Sequence, residues 1–321
     1  MAFLFKYWIR MNIDVAINSY RKPESLIYTL LSLKKSDQHQ LIDTIYINDD
    51  CSNDGTTVFY QAPLFIEAMQ PIQLKLRTNR KNTGYGRKIV TPEIFFSQLN
   101  NFRLSRINYK QIRRHGFYVS NDVRYQWAIN STDKDYLLII HDDILFKQDV
   151  CKLYLDSLMA LRRGAIVGDL GQCWICREKE LADCTPDKVN RGIYPNPYFP
   201  LARSEQGSLP LAFERRCRIN EWCCMLKVEV ARQTKPHYFG NYEEKGDVGA
   251  YWFSEIIRKG YRFCEPLPTQ AQRDAYYHHG WQGHTGHAVW LSKENTHQDI
   301  YDRAFIRQRL ESDFGYKLAV H

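Results

Sequence analysis

The chain has 321 residues, of which 44% are apolar and 25% charged, a composition typical of a globular protein with a sizeable core. No apolar run approaches the roughly 18 residues that a membrane-spanning helix needs, which argues against an integral membrane protein. Lys and Arg number 44 against 36 Asp and Glu, and the net charge of +8 favours partners that carry phosphate. We expect no nucleic-acid partner, because no helix-turn-helix, zinc-finger or RNP motif accompanies this charge.

The N-terminus and the cysteines indicate the cellular compartment. Residues 1–12 are predicted to be an N-terminal extension, and Lys6 and Arg10 interrupt its apolar stretch, unlike a secretory signal. The nine cysteines are odd in number and irregularly spaced, which favours reduced thiols in a cytoplasmic protein. Cys173 and Cys176 have a CxxC spacing, but a structural zinc site would need a second such pair, so buried thiols are the favoured interpretation.

The first half of the chain alternates between strands and a helix. Residues 13–20 predict a strand, and residues 23–35 predict a helix that begins at Pro23 and ends in two lysines. Residues 44–50 predict a second strand. The order strand, helix, strand is typical of a doubly wound nucleotide-binding sheet.

Two predicted strands end in paired carboxylates. The apolar part of the first strand ends just before residue 49, and that of the second covers residues 137–140. The polar residues at these two ends are Asp49, Asp50, His141, Asp142 and Asp143. Ligands bind where the strands of an open α/β sheet end, and carboxylates there suit Mg²⁺ or Mn²⁺. The alternative interpretation is an Asp-rich turn without a ligand.

The second half is predicted to continue the same domain without a clean linker. The predicted elements are a helix at 148–163, a strand at 165–168, a long loop at 186–210, a strand at 222–226, a helix at 248–259 and a terminal helix at 295–310. Loops of that length inside a domain usually act as a lid or as an acceptor surface. We expect one domain over residues 13–290, with a nucleotide half up to about residue 145, an acceptor half after it, and a C-terminal helical tail at 291–321.

Two segments stand out by composition. Residues 75–114 contain eleven Lys or Arg residues and a single acid, Glu93, which suits nucleotide phosphates or membrane headgroups, although part of the segment could be a solvated face. Residues 278–287 contain four histidines and three glycines. A zinc hydrolase is disfavoured because HExxH is absent. We interpret this segment as a flexible loop that closes over a nucleotide, with Trp281 stacking on a ring.

Taken in order, these motifs resemble those of GT-A-fold, family-two-like inverting glycosyltransferases. They cover the opening strand and turn, the nucleotide-reading turn, the metal-binding DxD strand, the helix start that bears the catalytic base, and a late histidine near the metal. The matching segments are 15–24, 48–56, 135–143, 246–262 and 277–280. The resemblance implies an α/β fold of the GT-A type, which is Rossmann-like and has a mixed central sheet with helices on both faces.

The resemblance also implies roles for individual residues. The implied ligands of Mn²⁺ or Mg²⁺ are Asp143, His141, His278 and His279. The implied donor-binding residues are Asn18, Tyr20, Asp49, Asp50, Asp142 and Arg87. Asp247 is implied as the general base, and Glu244 is its competitor. On an extended chain Asp142 would point away from Asp143, so we expect Asp143 to be the principal ligand.

Two residues depart from the family pattern. His141 occupies the first position of the DxD triplet, and Gly246 replaces the usual Glu before Asp247. These departures leave the metal shell and the identity of the base open.

The expected function is a metal-dependent inverting glycosyltransferase that moves a sugar from a nucleoside-diphosphate donor, with UDP favoured, to a glycan or lipid-linked acceptor hydroxyl, as in cell-surface polysaccharide synthesis. A sugar-nucleotide nucleotidyltransferase is the alternative, although no glycine-rich loop follows the first strand. A degenerate GT-A binding module is a second alternative. A dinucleotide oxidoreductase is disfavoured because GxGxxG is absent. We expect a cytoplasmic protein whose basic surface contacts the inner membrane face.

Overall fold

The computed structural model describes residues 12–84, 87–171, 218–242, 248–267, 275–278 and 303–318. Nine strands lie in these ranges. They are β1 (Ile13–Ser19), β2 (Ile42–Asp49), β3 (Gln73–Thr78), β4 (Tyr136–Ile140), β5 (Ile144–Phe146), β6 (Gly164–Gly171), β7 (Arg218–Lys227), β8 (Arg262–Cys264) and β9 (Tyr276–His278).

Seven of the strands form one mixed sheet in the order β3-β2-β1-β4-β7-β6-β8. β3, β2, β1 and β4 run parallel to one another, while β7 is antiparallel to both β4 and β6, and β8 is parallel to β6. β5 and β9 form a separate antiparallel pair. The sheet therefore has a parallel half and a half that is mixed around β7.

Helices cover both faces of the sheet. The described helices are α1 (Pro23–Ser36), α2 (Thr56–Tyr60), α3 (Pro63–Met69), α4 (Pro92–Ser97), α5 (Phe102–His115), α6 (Gln126–Ser131), α7 (Val150–Ala160), α8 (Val228–Gln233), α9 (Ala250–Arg258) and α10 (Arg303–Phe314). Alternate strand residues enter two separate apolar clusters, because successive side chains on a strand point to opposite faces. One cluster contains residues of α1, α7 and α10, and the other contains residues of α6, α8 and α9. The predicted fold class, an α/β mixed sheet with helices on both faces, is confirmed.

Helix α1 forms where the sequence predicted a helix. Pro23 lies in its first turn, and Leu26, Leu30 and Leu33 are fully buried against the sheet. The predicted helix at 148–163 is shorter, since α7 begins after Asp149, whose side chain accepts a hydrogen bond from the backbone N–H of Lys152 at 3.0 Å.

The C-terminal helix α10 packs on α1. Arg307 Nη2 lies 2.7 Å from the buried carboxylate of Glu24, and the Tyr28 hydroxyl donates to Asp313 at 2.7 Å. Ile306 and Leu310 of α10 are buried in the same apolar cluster as α1. The described part of the predicted tail therefore shares the core of the main domain.

Several predicted segments lie outside the described residues. These are the N-terminal extension, the loop at 186–210, Cys173 and Cys176, most of the histidine-rich segment, and residues 295–302. In the described part of the chain, no helix combines the length and apolarity that a membrane span requires.

Candidate functional site

The candidate site lies at the edge where the four parallel strands end. β1 ends at Ser19, β2 at Asp49, β3 at Thr78 and β4 at Ile140. Backbone hydrogen bonds continue past these ends, from Asp50 N–H to Ser19 O at 2.8 Å and from Asn79 N–H to Asp49 O at 2.8 Å. The loops that follow the strands are thus held side by side.

Asp49 shapes the turn after β2. Its carboxylate is fully buried and accepts hydrogen bonds from the Ser52 backbone N–H at 2.9 Å and the Ser52 hydroxyl at 2.5 Å. Burial raises the pKa of Asp49 above its ordinary value, although the two bonds from Ser52 oppose this rise. The carboxylate therefore fixes the loop that the sequence assigns to nucleotide reading.

Asp50 ties the turn after β2 to the loop after β3. Its carboxylate accepts from Asn79 Nδ2 at 2.8 Å, from the backbone N–H of Thr83 at 2.9 Å and from the Thr83 hydroxyl at 2.8 Å. Asn82 Nδ2 donates to the same carboxylate at 3.2 Å. Asp49 and Asp50 both lie at this edge, and their role in base recognition stays a prediction.

A chain of hydrogen bonds crosses the three neighbouring strands. Arg77 Nη1 donates to Asn48 Oδ1 at 2.9 Å, and Asn48 Nδ2 donates to Asn18 Oδ1 at 3.0 Å. The other arm of Arg77 forms an ion pair with Asp122 at 2.5 Å. Asn18, a predicted donor-binding residue, is therefore oriented by its neighbours on β2 and β3.

Two further predicted donor-binding residues flank this edge. Tyr20 is exposed at the start of the turn after β1, and the Arg21 guanidinium lies 5.0 Å from the centroid of its ring. Arg87 is half-buried, and its guanidinium packs against Gly84, next to the threonine that binds Asp50. Both side chains lie on loops that border the strand ends.

The chain turns directly after β4. β4 ends at Ile140 and β5 begins at Ile144, with Asp142 and Asp143 in the turn between them. The expectation of an extended chain through these two residues is wrong, so alternation along a strand does not set the direction of their side chains. Whether Asp143 is the principal metal ligand stays a prediction.

Asp142 is the more enclosed of the two acids in this turn. Its Oδ2 accepts a hydrogen bond from the Ser19 hydroxyl at 2.9 Å, and its Oδ1 lies 3.8 Å from Lys22 Nζ. Burial raises the pKa of Asp142, while Lys22 opposes this rise and Asp143 adds to it. The charge of Asp142 in turn raises the pKa of Lys22.

His141 belongs to a second charged group beside the turn. Its Nε2 lies 3.7 Å from Glu221 Oε1 and its Nδ1 lies 4.0 Å from Asp143 Oδ1. Glu221 is held from its other side by Arg218, at 2.5 Å. Because β7 lies next to β4, these β7 side chains reach the predicted metal motif.

The pKa values follow from these charges. Burial opposes protonation of His141, but Glu221, Asp143 and Asp142 together raise its pKa above the ordinary value. Burial likewise opposes ionisation of Glu221, yet Arg218 and His141 outweigh it and lower the pKa of Glu221 to about 2. Glu221 is therefore an anion, and the negative groups around His141 favour the protonated form of its imidazole.

The remaining predicted residues are described only in part. Asp247, Glu244 and His279 lie outside the described residues, as does the side chain of His278. The backbone of His278 pairs with Ile144, so β9 brings this histidine next to the residue that follows Asp143. The structure thus brings His278 to the metal motif across 134 positions of sequence.

Sequence reasoning missed Lys22, Glu221 and Arg218. Lys22 stands one position before the predicted helix, where a cation next to a strand end is a signal that could have been used. Glu221 and Arg218 had no such signal, because only the antiparallel insertion of β7 beside β4 brings them to the site.

The side chains around the turn have the donor types that a divalent cation binds. Asp142, Asp143 and Glu221 offer carboxylate oxygens, and His141 offers an imidazole nitrogen. Within the described residues, these groups do not converge within 4.8 Å of one another as a group of three. The donor chemistry of these side chains fits a divalent cation such as Mn²⁺ or Mg²⁺.

No family model and no curated protein matches the chain. Among solved structures, it is similar to the mannosyltransferase PcManGT from Pyrobaculum calidifontis in complex with GDP-Man and Mn²⁺, with 12% identity, a TM-score of 0.47, and coverage of 79% of this chain and 54% of that one. It is similar to TarS of S. aureus, with 13% identity, a TM-score of 0.44, and coverage of 84% and 60%.

A third similar structure is glucosyl-3-phosphoglycerate synthase from Mycobacterium tuberculosis in complex with Mg²⁺ and uridine-diphosphate, with 10% identity, a TM-score of 0.40, and coverage of 79% and 68%. This chain spans less than two thirds of the length of PcManGT and TarS. The chemistry that this chain can perform follows from the geometry of its own residues.

Proposed function

We propose that this protein is a GT-A-type, metal-dependent, inverting glycosyltransferase that uses a nucleoside-diphosphate sugar, with UDP as the favoured nucleotide. The acceptor is a hydroxyl of a glycan or of a lipid-linked sugar, as in cell-surface polysaccharide synthesis, in the cytoplasm. Support comes from the strand-end edge, where carboxylates, amides and cations from four parallel strands meet. Ligands of open α/β sheets bind at such an edge.

In this proposal the edge between β1, β2 and β3 holds the nucleotide. Asp49 or Asp50 accepts the N–H of the base, with Asn18 and Tyr20 beside it. Lys22 and Arg87 supply positive charge for the pyrophosphate, and Lys22 already lies 3.8 Å from the carboxylate of Asp142. A phosphate oxygen and Asp142 can then share the same ammonium group.

Asp143, His141, His278 and His279 would hold the cation, and Asp142 would lie beside the donor. A divalent cation bound there would act as a Lewis acid that neutralises the charge developing on the pyrophosphate leaving group. The β5–β9 pair supports this assignment, because it fixes the backbone of His278 opposite Ile144.

The observation that carries the proposal is the link from this turn to the predicted base. Arg218 Nε donates to the backbone oxygen of Val248 at 2.5 Å, and its Nη2 pairs with Glu221. Val248 follows Asp247 directly in sequence. One guanidinium therefore anchors the neighbour of the predicted base and, through Glu221, the imidazole of His141.

Asp247 then serves as the general base, with Glu244 as its competitor. A carboxylate in hydrogen-bond reach of the acceptor hydroxyl removes its proton as it attacks C1 of the sugar, which contributes roughly 10²–10⁴-fold in rate. A single displacement inverts the anomeric configuration.

The test compares Asp247→Asn and Glu244→Gln in a transfer assay with a UDP-sugar and Mn²⁺. We expect Asp247→Asn to bind the donor normally and to lose about 100-fold or more in transfer rate. Glu244→Gln is the matched control and should keep transfer within a few-fold. The reverse pattern would exchange the two roles, and a product with retained configuration would exclude the single-displacement mechanism.

A binding module that has lost transfer activity is a second candidate, and one observation favours it. The Lys22 ammonium group stands beside Asp142, where a side-chain cation can partly replace a metal ion. This candidate predicts nucleotide binding that EDTA does not weaken, without sugar transfer to any acceptor. The thermal shift produced by UDP with and without Mn²⁺ separates the two, since binding to the folded state alone raises the melting temperature.

We also propose that the protein contacts the inner membrane face through the α4–α5 surface. This surface comprises the exposed residues Phe96, Leu99, Phe102, Arg106, Tyr109 and Arg113. Phe102 is 82% exposed and Phe96 66%. Residues 94–121 contain five Lys or Arg residues and no acid. Aromatic groups beside cations suit the headgroup region of an anionic bilayer.

Sedimentation with lipid vesicles tests this contact. We expect binding to phosphatidylglycerol vesicles and none to phosphatidylcholine vesicles, with binding lost when Phe102 and Tyr109 are both replaced by Ser. Met159→Ser, which removes an exposed apolar side chain from α7, is the control and should bind normally. Equal binding to both lipids, or none to either, would contradict the proposal.

A further inference from the structure

A second cluster of metal-type side chains lies at the other end of helix α1. The carboxylates of Asp37 and Asp149 and the thiol of Cys151 place ligand atoms within 4.8 Å of one another. His39 Nδ1 lies 2.7 Å from Asp149 Oδ2, which places an imidazole beside this group of three. In the described part of the chain, the first three residues are the only such group of three or more.

The cluster is distinct from the candidate active site. Ser25, near the start of α1, contacts the turn after β4, whereas Asp37 follows the last residue of the helix. Twelve helical residues span about 18 Å at about 1.5 Å per residue. None of the four residues of this cluster is assigned to donor, acceptor or catalytic cation.

Two short segments with the same spacing supply the four side chains. Asp37 and His39 are separated by one residue after α1, and Asp149 and Cys151 are separated by one residue at the start of α7. Structural zinc sites commonly take their ligands as pairs that are close in sequence, one pair from each of two segments, although the spacing here is shorter than the usual one. The arrangement therefore joins the end of α1 to the beginning of α7.

Local hydrogen bonds hold the two carboxylates in place. Asp37 accepts from the backbone N–H groups of Leu41 and Ile42, both at 3.0 Å, and Asp149 accepts from that of Lys152 at 3.0 Å. Each carboxylate oxygen keeps a second lone pair for another partner. Capping thus explains the positions of the two acids and leaves them able to bind a cation.

The thiol is the observation that capping does not explain. Cys151 is fully buried, and no other residue in the described ranges donates or accepts a hydrogen bond at its sulfur. The ligand atoms of Asp37, Asp149 and Cys151 converge, and among the described residues only the imidazole of His39 stands beside Asp149 as a cationic partner. These three side chains therefore form a donor set that a dication can bind.

We propose that Asp37, His39, Asp149 and Cys151 form a binding site for a divalent transition metal, with Zn²⁺ as the favoured ion. One sulfur, one nitrogen and two oxygen donors match the ligands that Zn²⁺ takes in four-coordinate sites, whereas Mg²⁺ takes oxygen ligands. Binding displaces the thiol proton of Cys151 to solvent. The half-exposed ring of His39 can turn to present its lone pair to the ion.

A metal ion bound here would join the end of α1 to the start of α7 on one face of the sheet. Metal binding would then be coupled to folding. The site is independent of the proposed sugar transfer, because its four residues take no part in that reaction. Metal binding and unfolding can be measured without sugar transfer, so a negative result at this site would leave the proposed function unaffected.

Co²⁺ titration of the full chain tests the site, with Zn²⁺ as the competitor. We expect a thiolate-to-cobalt charge-transfer band in the near ultraviolet, tetrahedral d–d bands in the visible, and loss of both when Zn²⁺ is added. Cys151→Ser should abolish the charge-transfer band. Cys223→Ser, which alters an equally buried thiol on β7, is the matched control and should keep it.

His39→Ala is the second variant, since its half-exposed side chain can be removed without disturbing the core. We expect this variant to bind Zn²⁺ at least about 10-fold more weakly and to show a smaller rise in melting temperature with Zn²⁺. A cobalt band that persists in Cys151→Ser, or Zn²⁺ affinity that is unchanged in both variants, would overturn the proposal.

Discussion

The strand-end acids of β2 and those of β4 follow the same sequence pattern, yet their surroundings differ. Asp49 and Asp50 accept hydrogen bonds from amides, hydroxyls and backbone N–H groups of neighbouring turns. Asp142 and Asp143 lie among charged groups, with Lys22 on one side and His141 on the other. Two similar motifs therefore differ in role, since the acids after β2 hold neighbouring turns and those after β4 lie among charged groups.

This difference indicates which acids are available to a charged substrate. A buried carboxylate with several neutral donors has most of its lone pairs occupied, and removing it leaves those donors unsatisfied. A carboxylate beside ionised groups can bind a cation, or can share its cationic partner with a phosphate, because charge-assisted bonds are strong. We expect the β4 acids to control activity and the β2 acids to control loop structure and nucleotide affinity.

The largest expected effect comes from Asp143→Asn. The variant keeps the shape of the side chain and removes its negative charge, so metal-dependent transfer should fall by about 100-fold or more while the melting temperature stays within the range of the wild type. Asp133→Asn, at an exposed acid between α6 and β4, is the control and should remain active. Full activity of Asp143→Asn, or wild-type activity that EDTA does not reduce, would remove the metal assignment.

A buried acid on the sheet face, Asp169, extends the comparison. Trp222 Nε1 donates to its Oδ2 at 3.2 Å, and the Tyr276 hydroxyl bonds to the same oxygen. Burial is the largest influence and raises the pKa of Asp169 to about 7, whereas Arg218 and His141 lower that of Glu221 to about 2. The pKa values of these two buried acids thus differ because Asp169 has neutral partners and Glu221 has cationic ones.

This contrast predicts the direction of a pH effect on stability. The pKa of Asp169 is raised in the folded state. Between about pH 4 and pH 7 this carboxyl is therefore ionised in the unfolded chain but protonated in the folded one. The wild type should lose about 1.4 kcal/mol of unfolding free energy per pH unit as the pH rises through this range. Asp169→Asn cannot ionise and should lack this loss. Urea denaturation of both proteins at pH 5 and pH 7 measures the difference. Parallel pH profiles would contradict the raised pKa.

The β2 acids should give the opposite pattern to Asp143. Asp49→Ala and Asp50→Ala each leave buried donors without an acceptor, which costs about 1–3 kcal/mol of unfolding free energy. Each variant should also bind uridine nucleotides more weakly, with one of the two clearly dominant. Urea denaturation and nucleotide titration measure the two effects separately. Unchanged nucleotide affinity in both variants would remove these residues from base recognition.

The sequence predicted much of the parallel half because its signals are local. The apolar runs that form β1, β2 and β4, the Pro23 start of α1 and the acids at the strand ends can all be read within a few residues. The predicted strand at 222–226 was too short, since β7 also includes the polar residues Arg218, Asn220 and Glu221, which interrupt the apolar pattern.

The mixed half could not be predicted in the same way. The position of β7 beside β4 depends on pairing across more than eighty residues, and it alone brings Glu221 and Arg218 to His141. The turn at 141–143 was also missed. An apolar run followed by two acids does not indicate whether the strand continues through the acids. The expectation that their side chains point to opposite sides could therefore not be tested from the local sequence.

The hydroxyl groups of α1 show how that turn is held. Ser25 Oγ donates to the backbone oxygen of Asp142 at 2.7 Å, Thr29 Oγ1 accepts from Ile144 N–H at 2.9 Å, and Ser32 Oγ accepts from Phe146 N–H at 3.1 Å. Positions 25, 29 and 32 share one face of a helix. A buried polar stripe on α1 therefore fixes the segment that carries Asp142 and Asp143.

The smallest expected effect comes from Ser25→Ala. The lost bond to Asp142 should cost about 1 kcal/mol of unfolding free energy and should let the acidic turn shift, so more Mn²⁺ is needed for half-maximal transfer. Ser36→Ala removes a buried hydroxyl that donates within α1, to Leu33 O at 2.8 Å. It should cost a similar free energy and leave the Mn²⁺ requirement unchanged. If both variants shift that requirement equally, the effect is one of general stability, and α1 does not position the acids of β4.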